Sequence, residues 1–223
     1  MSSLGTLPGG TISEGNAINN SGQIAGISNT SRNGPADLFL YSGGSMSNLG
    51  NLGGTGINGL GVSGINASGE IVGNAETSPG NNGPNAFIYS GGAFTNLLPG
   101  TNQSFAFGIN NAGQVVGSES LSSNDAFIYT TANGVQTLNS LYASLLVSGT
   151  GTKQGFTTLL DAYDINNEGQ IVGDGTYWNG TSDVHEAFLL DTQPVPEPST
   201  YAMLLLGLGG FVFWRLRARR ALI

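Results

Sequence analysis

The chain has 223 residues, of which 9% are charged, 37 are glycine and none is cysteine. This length suits one domain or one repeat array with a sizeable core, and the lack of cysteine excludes disulfides, zinc–thiolate sites and thiol nucleophiles. Thirteen acidic but only two basic residues precede Pro194; a body this acidic is repelled by phosphate backbones, which excludes nucleic acid as a partner.

The composition also favours an all-β fold. Polarity comes from uncharged side chains and from glycine rather than from Lys and Glu. Amphipathic helices normally carry charged solvent faces, whereas short strands joined by tight turns do not need them. We therefore expect many short strands.

A nine-residue motif occurs four times along the chain, at residues 18–26, 65–73, 109–117 and 165–173, with starts 47, 44 and 56 residues apart. The third copy is Ile109-Asn110-Asn111-Ala112-Gly113-Gln114-Val115-Val116-Gly117. Asn and Gly tolerate the positive φ that a tight or G1-bulged turn requires, so each copy predicts a β-hairpin.

Each motif is followed by a short apolar run, at residues 38–41, 86–89, 126–129 and 187–190. In the first three repeats a glycine-rich turn and another strand-like segment come next. Each unit therefore predicts about four antiparallel strands. Radial stacking of such units buries faces that no single unit buries, so residues 1–192 are predicted to form a small β-propeller, with an open β-solenoid as the alternative.

Two features depart from the regular pattern. The fourth unit ends after its third strand, and residues 3–10 are similar to residues 48–54, so we expect the N-terminal segment to complete the last sheet. Between the third and fourth units, apolar residues recur at a helical period, which predicts a short inserted helix capped by Asn139 or Ser140. The apolar residues are Leu138, Leu141, Tyr142, Leu145 and Leu146.

The repeats resemble an extracellular repeat family named for its His-Ala-Phe triplet, in which Gly-Ile-Asn-x-x-Gly-Gln-Val-Val-Gly alternates with that triplet. The resemblance spans about residues 3–191, with Ala-Phe at residues 86–87, 126–127 and 187–188 and Leu38-Phe39 as a variant. The histidine position holds Asp37, Asn85, Asp125 and Glu186. The resemblance implies an exported location.

The C-terminal residues form three segments. Residues 193–200 are a Pro-rich linker containing Pro196, Glu197 and Pro198, residues 201–214 are apolar, and residues 215–223 are basic. The order predicts a transmembrane helix held at the cytoplasmic side by Arg215, Arg217, Arg219 and Arg220. The apolar run is shorter than the roughly 20 residues of a comfortable membrane span, which suits a transient anchor.

This tail closely resembles the PEP-CTERM sorting signal of exopolysaccharide-producing Gram-negative bacteria. The resemblance implies an exosortase-type membrane protease as partner, cleavage near Pro196-Glu197-Pro198, and a membrane-anchored precursor whose body is then displayed at the cell surface or released. An export signal is expected before such a body, but Met1-Ser2-Ser3-Leu4 leads directly into the first strand, which favours an incomplete N terminus.

No group of residues forms a catalytic motif. His185 is the only histidine and is expected in a surface loop. The segment Asp164-x-Asn166-x-Glu168-Gly169 matches only the start of a calcium loop, because Gly175 stands at the twelfth position where a bidentate Glu is needed. The sequence therefore predicts no catalytic residue, metal site or cofactor.

Tyr177 and Trp178 are the candidate ligand-binding residues, because exposed aromatic rings in the loop after the second strand of the fourth repeat would stack on sugars; packing at the rim is the alternative. The leading hypothesis is a non-enzymatic surface or matrix protein associated with exopolysaccharide or biofilm. The alternatives are an envelope enzyme with two carboxylates about 5 to 10 Å apart, and a permanently membrane-anchored binding protein.

Overall fold

A computed structural model describes residues 1–53, 60–77, 83–100, 103–120 and 124–192. The chain divides into two compact units, Met1–Leu190 and Asp191–Ile223. The predicted linker, transmembrane helix and basic tail at residues 193–223 lie outside the described residues. Within the described ranges, no helix has the length and apolar character needed to cross a bilayer.

The described part of the first unit is all-β and contains four antiparallel sheets, one for each repeat. Neighbouring strands in the chain are neighbours in each sheet. The first sheet contains β1 (Ser13–Ile18), β2 (Ile24–Asn29), β3 (Ala36–Ser42) and β4 (Ser45–Gly50). The second contains β5 (Leu60–Ile65), β6 (Ile71–Ala75), β7 (Asn85–Ser90) and β8 (Ala93–Asn96).

The third sheet contains β9 (Ser104–Ile109), β10 (Val115–Ser120), β11 (Asn124–Thr130) and β12 (Gly134–Thr137). The fourth contains, among the described residues, three strands: β13 (Gly155–Ile165), β14 (Gln170–Trp178) and β15 (Asp183–Asp191). The predicted all-β repeat pattern is therefore confirmed. A closed propeller, or an open solenoid, stays a prediction.

The motif forms the predicted hairpin between the first and second strands of each sheet. In the first copy, Asn19 N–H donates to the Gln23 carbonyl (3.0 Å) and Gly22 N–H donates to the Asn19 carbonyl (3.0 Å). Gly22 has a φ of 74°, the left-handed conformation that glycine adopts without steric cost. The other three copies make the same pair of backbone bonds.

Adjacent motif residues point to opposite faces of their sheet, as successive strand residues must. Ile71 packs in the core between the first and second sheets, whereas Val72 packs in the core between the second and third. Val115 and Val116 repeat this division one sheet further along. The motif therefore supplies one apolar residue to each of two neighbouring interfaces.

The first strand of each sheet lies against the sheet before it. β5 contacts β1, β2 and β3; β9 contacts β5, β6 and β7; and β13 contacts β9, β10 and β11. Three separate apolar cores fill the three interfaces. Stability is therefore distributed over nearest-neighbour interfaces, as in other repeat arrays.

The expectation that residues 3–10 complete the fourth sheet is wrong. The N-terminal segment lies on the first sheet, where Leu7 N–H donates to Ser28 Oγ (3.0 Å) and Leu7 is buried. A Cβ on Gly9 would contact the Thr30 carbonyl, and one on Gly53 would contact the equivalent Thr77 carbonyl. The N-terminal segment thus lies against the first sheet in the same way as the chain at Gly53, after β4, lies against the second sheet.

The inserted helix is present but short. A four-residue helix, α1 (Leu138–Leu141), is followed by a 3₁₀ turn at Ala143–Leu145. The predicted cap was wrong, because the Thr137 side chain accepts from Ser140 N–H. Asn139 instead reaches β13: its Oδ1 accepts from Leu159 N–H (2.7 Å) and its Nδ2 donates to the Leu159 carbonyl (3.0 Å).

Candidate functional site

The four motif turns lie together at one end of the array and line a polar depression of about 370 Å³. Each turn contributes an isoleucine and two residues that follow it, and the fourth adds two carboxylates. The lining contains Ile18, Asn19, Asn20, Ile65, Asn66, Ala67, Ile109, Asn110, Asn111, Asp164, Ile165, Asn166, Asn167 and Glu168. We call this end of the array the turn face.

The second residue of every motif is an asparagine that closes its own turn. Asn66 Oδ1 accepts from Ser68 N–H and Glu70 N–H, both at 3.0 Å, and its Nδ2 donates to Glu70 Oε2 (2.6 Å). The other three copies pair with Gln23, Gln114 and Gln170 at the corresponding position. The motif therefore needs both the Asn and the Gln or Glu four residues later.

The same asparagines also link the repeats. Asn19 Nδ2 donates to the Asn66 carbonyl (2.9 Å), Asn66 Nδ2 to the Asn110 carbonyl (3.2 Å), and Asn110 Nδ2 to the Asn166 carbonyl (3.1 Å). We call this series the asparagine ladder. It fixes the spacing of the four turns and so shapes the floor of the depression.

The third motif residue forms a second, partial series. Asn111 Oδ1 accepts from Ala67 N–H (3.0 Å), and Asn167 Oδ1 accepts from Asn111 N–H (2.9 Å). Asn20, at the same position in the first repeat, is exposed and its side chain makes no hydrogen bond within the described residues. The depression is thus lined by side-chain amides that both donate and accept.

The sequence interpretation of the motif missed its role between repeats. The backbone conformation of the turn was enough to explain why Asn and Gly occur in each copy. Nothing in a single copy showed that the Asn amide bonds to the next copy, 44 to 56 residues away. The available signal was that Asn stands at this position in all four copies, whereas the following residue varies.

Tyr177 and Trp178 do not lie in a loop as predicted. They are the last two residues of β14, and both are half-buried. Tyr177 packs edge-on against Phe156, with ring centroids 5.2 Å apart, and Trp178 Nε1 donates to the Gly151 carbonyl (2.9 Å). As neighbours in a strand, they point to opposite faces of the sheet.

The two candidate ligand sites are at opposite ends of the fourth sheet. β14 begins at Gln170 beside its turn and ends at Trp178. Eight residues of strand at about 3.3 Å each separate them by roughly 26 Å. The turn face and the Tyr177–Trp178 end therefore cannot form one compact site.

His185 lies in β15 rather than in the predicted loop, and it belongs to a three-residue polar cluster. Its Nε2 is 3.0 Å from Asp174 Oδ2, which also accepts a hydrogen bond from the Tyr163 hydroxyl (3.0 Å). Burial first, then this hydrogen bond and the charges of Asp161 and Asp174, raise the pKa of Tyr163. Asp174 Oδ1 has no partner among the described residues.

No group of three or more His, Cys, Asp or Glu side chains within the described ranges is arranged to hold a metal ion. Asp164 and Glu168 both line the depression on the turn face. Asp164 Oδ1 accepts from the backbone N–H of Ile165 (2.9 Å), which ties this carboxylate to the strand end.

The tail gives the decisive comparison with known proteins. Residues 194–220 match the family described as the PEP-CTERM protein-sorting motif. The chain carries a PEP-CTERM sorting motif. This motif indicates an exported protein that is sorted to the cell surface and processed by an exosortase. The match contains Pro196, Glu197, Pro198 and the four arginines at positions 215, 217, 219 and 220.

The comparisons say less about the repeat domain. No curated protein is significantly similar to this chain. Among solved structures, TolB from Acinetobacter baumannii is similar with a TM-score of 0.47 and 14% identity, over 82% of this chain and 45% of TolB. The chain thus spans less than half of TolB. The resemblance to His-Ala-Phe repeats stays a prediction.

Proposed function

We propose that this PEP-CTERM protein is a non-enzymatic surface or matrix protein whose turn face binds a neutral exopolysaccharide. The observation that carries the proposal is the polar depression made by four asparagine-bearing turns on a chain that also has an exosortase sorting motif. The motif supports delivery to a location where exopolysaccharide is present, and the depression supplies hydrogen-bonding groups for it.

Side-chain amides suit sugar recognition, because each amide donates and accepts hydrogen bonds, as sugar hydroxyls do. The isoleucines that also line the depression, such as Ile18 and Ile65, offer apolar surface for the carbon–hydrogen faces of a sugar. Thirteen acidic and two basic residues precede Pro194. Repulsion by this negative charge disfavours uronic acid or sulfated polymers and favours a neutral one.

Binding is tested by retention of the purified protein on neutral polysaccharide from the host, compared with a uronic acid polymer. The Asn20→Ala variant removes an exposed amide of the turn face and is expected to weaken retention about fivefold, the effect of roughly 1 kcal/mol of hydrogen bonding. The control is Asn133→Ala, in an exposed turn before β12. Failure of both polymers to retain the protein would refute the proposal.

Tyr177 and Trp178 provide a second candidate surface for the same ligand class. Both residues are half-buried at the end of β14, so each keeps some surface that a ligand could contact. A Trp178→Ala variant that loses retention while Asn20→Ala keeps it would move the site from the turn face to this end. The opposite result assigns binding to the turn face.

Sorting is tested by the mass of the product made with and without the host exosortase. Cleavage beside Pro196-Glu197-Pro198 removes residues 199–223, which are 25 residues. Glu197→Ala is expected to leave the chain at full mass in both hosts. An intact tail on the wild-type protein in the presence of exosortase would support the permanently anchored alternative.

An envelope enzyme is the alternative from another class, because Asp164 and Glu168 both line the depression. Hydrolysis of the polysaccharide would release new reducing ends, and a double variant, Asp164→Asn with Glu168→Gln, would abolish that release. Retention without release of reducing ends supports the non-enzymatic function. Release that depends on these two carboxylates would replace it.

A further inference from the structure

Among the described residues, no sheet packs on one apolar face of the fourth sheet. Val72 and Val116, at the eighth motif position, are 0% exposed because the next sheet covers them, whereas Val172 is 45% exposed. Ile88 and Ile128 in the third strand are 5% and 7% exposed, whereas Leu189 is 66% exposed. The residues that stack repeats are thus present in the fourth repeat, but no following repeat covers them within the part of the chain that the structure describes. We call this surface the forward end.

The first sheet has the complementary face. Ile65, Ile109 and Ile165 open the other three motifs and are all at least half-buried, whereas Ile18 is 67% exposed. Ile18 lies beside a depression of about 420 Å³ that is also lined by Leu4, Gly15, Asn16, Ala17 and Ile24. We call this surface the backward end. In later repeats the equivalent face packs on the preceding sheet.

The hydrogen-bonding groups of the asparagine ladder are also complementary at the two ends. Asn110 Nδ2 donates both to Gln114 Oε1 and to the carbonyl of Asn166 in the following repeat. Asn166 Nδ2 donates to Gln170 Oε1, and no carbonyl of a further repeat accepts from it within the described ranges. The Asn19 carbonyl accepts from Gly22 N–H and lacks the second donor that the Asn66 carbonyl receives. The forward end therefore has a free donor where the backward end has a free acceptor.

The second series is complementary in the same sense. Asn111 N–H donates to Asn167 Oδ1, but Asn167 N–H has no such acceptor within the described residues. Asn20 Oδ1, at the backward end, accepts no hydrogen bond from the residues that the structure describes. A junction made with the internal geometry would pair Asn166 Nδ2 with the Asn19 carbonyl and Asn167 N–H with Asn20 Oδ1.

We propose that the forward end of one molecule docks on the backward end of a second copy of this chain, in a head-to-tail junction that repeats the internal interface between sheets. The internal repeats identify the partner as a second copy of this chain. They show which sheet face packs on each apolar face and which side-chain amide donates to each turn carbonyl. An unrelated partner would have to reproduce both the apolar contacts and the two hydrogen bonds.

The experiment measures self-association of the full chain in detergent micelles by sedimentation over a range of concentrations. Leu189→Glu places a charge on the forward end and Ile18→Glu places one on the backward end; both side chains are exposed, so the fold is retained. Each variant alone is expected to lose association at least tenfold. Leu141→Glu, a change at an exposed side chain in α1, is the control and is expected to associate like the wild type.

A mixture of the two variants distinguishes a head-to-tail junction from a junction between two identical ends. Leu189→Glu molecules keep a working backward end and Ile18→Glu molecules keep a working forward end, so equimolar mixing is expected to restore a dimer with one junction. A junction between two identical ends would instead leave one single variant fully dimeric. That result, or a wild-type protein that is monomeric at all concentrations, would overturn the proposal.

Cross-linking separates a second copy from closure of one chain on itself. The chain has no cysteine, so the double variant Asn20→Cys with Asn167→Cys has only the two engineered thiols. Oxidation is expected to give covalent dimers and higher species. A cross-link found only within single molecules would show closure of one array, and no cross-link at all would show that the ends do not meet; either result overturns the proposal.

Discussion

Gly117 and Phe127 lie directly opposite each other across β10 and β11, and a Cβ on Gly117 would lie 2.8 Å from Phe127 Cζ and against the Phe105 carbonyl. The same Gly–Phe pair occurs in each repeat, between the last motif residue and the apolar run. The glycine is thus required because a side chain there would collide with the backbone carbonyl of the preceding strand and, at Gly26, Gly117 and Gly173, also with the aromatic ring of the next strand.

Gly117→Ala is therefore expected to lower the free energy of unfolding by about 1–3 kcal/mol, the cost of overpacking a filled core. Gly61→Ala is the control, because its Cβ would meet only the end of the Asn74 side chain, at 3.3 Å. Urea unfolding followed by tryptophan fluorescence measures both. Equal stability of the two variants would contradict the clash.

Asn66→Asp tests the asparagine ladder. The change removes the donor to the Asn110 carbonyl and places a carboxylate next to Glu70 Oε2, so we expect a loss of about 2 kcal/mol at neutral pH. Repulsion raises the pKa of the introduced carboxyl in the folded state, so stability should fall as pH rises through that pKa and recover on acidification.

Asn166→Asp is the matched comparison at the end of the ladder. Asn166 donates to Gln170 alone and is exposed, so its replacement should cost well under half as much. Asn19→Asp isolates the ladder bond, because Asn19 also pairs with a neutral Gln but donates to the Asn66 carbonyl. Thermal unfolding of the three variants at pH 4 and pH 7 provides the data. A ladder that contributes nothing would give Asn19→Asp and Asn166→Asp the same stability.

Asn139→Ala is expected to loosen the inserted helix. Asn139 makes two hydrogen bonds with the Leu159 backbone and donates to Asp125 Oδ1 (2.7 Å). Their loss leaves Leu159, which is buried, with an unpaired N–H, at a cost of about 1–3 kcal/mol. Hydrogen exchange of the Leu159 amide should accelerate in this variant and not in Asn133→Ala.

Glu119→Gln is expected to stabilise the protein slightly at neutral pH. Burial, and next the charge of Asp125 opposite it across β10 and β11, raise the pKa of Glu119. A raised folded pKa contributes stability that is fully present below the unfolded pKa and is lost as pH rises through the folded pKa. Because Glu119 is partly exposed, the gain should stay below about 1 kcal/mol.

The stability difference between the wild type and Glu119→Gln should depend on pH in one direction only. Between the unfolded and the folded pKa of Glu119, the wild type should lose stability relative to Glu119→Gln as pH rises, and the difference should then stay constant. Melting temperatures from pH 3 to pH 8 measure it. A difference that grows on acidification would contradict the shift.

The periodic parts of the fold could be predicted from sequence. The Asn-x-x-Gly turns and the strands beside them follow from local backbone preferences, which residues such as Gly22 satisfy without help from distant contacts. The helix at Leu138 was also predictable from its period, but its cap was not. Asn139 is attached to β13 instead, and a contact across 20 residues leaves no local signal.

The position of the N-terminal segment could not be predicted for a different reason. Residues 3–10 are similar to residues 48–54, and this similarity correctly identified an equivalent piece of structure. It did not show which sheet residues 3–10 contact, because a segment between two repeats can lie against either the preceding sheet or the following one. Leu7 N–H bonds to Ser28, on the sheet that follows.

Ile71 and Val72 are neighbours in one strand but pack in two different cores, and this has a consequence for how such chains evolve. A gene segment that encodes one whole unit encodes both the face that packs on the preceding sheet and the face that packs on the following sheet. Duplicating or deleting that segment therefore yields a longer or shorter protein whose new neighbours already fit, and unequal recombination can change array length without compensating substitutions.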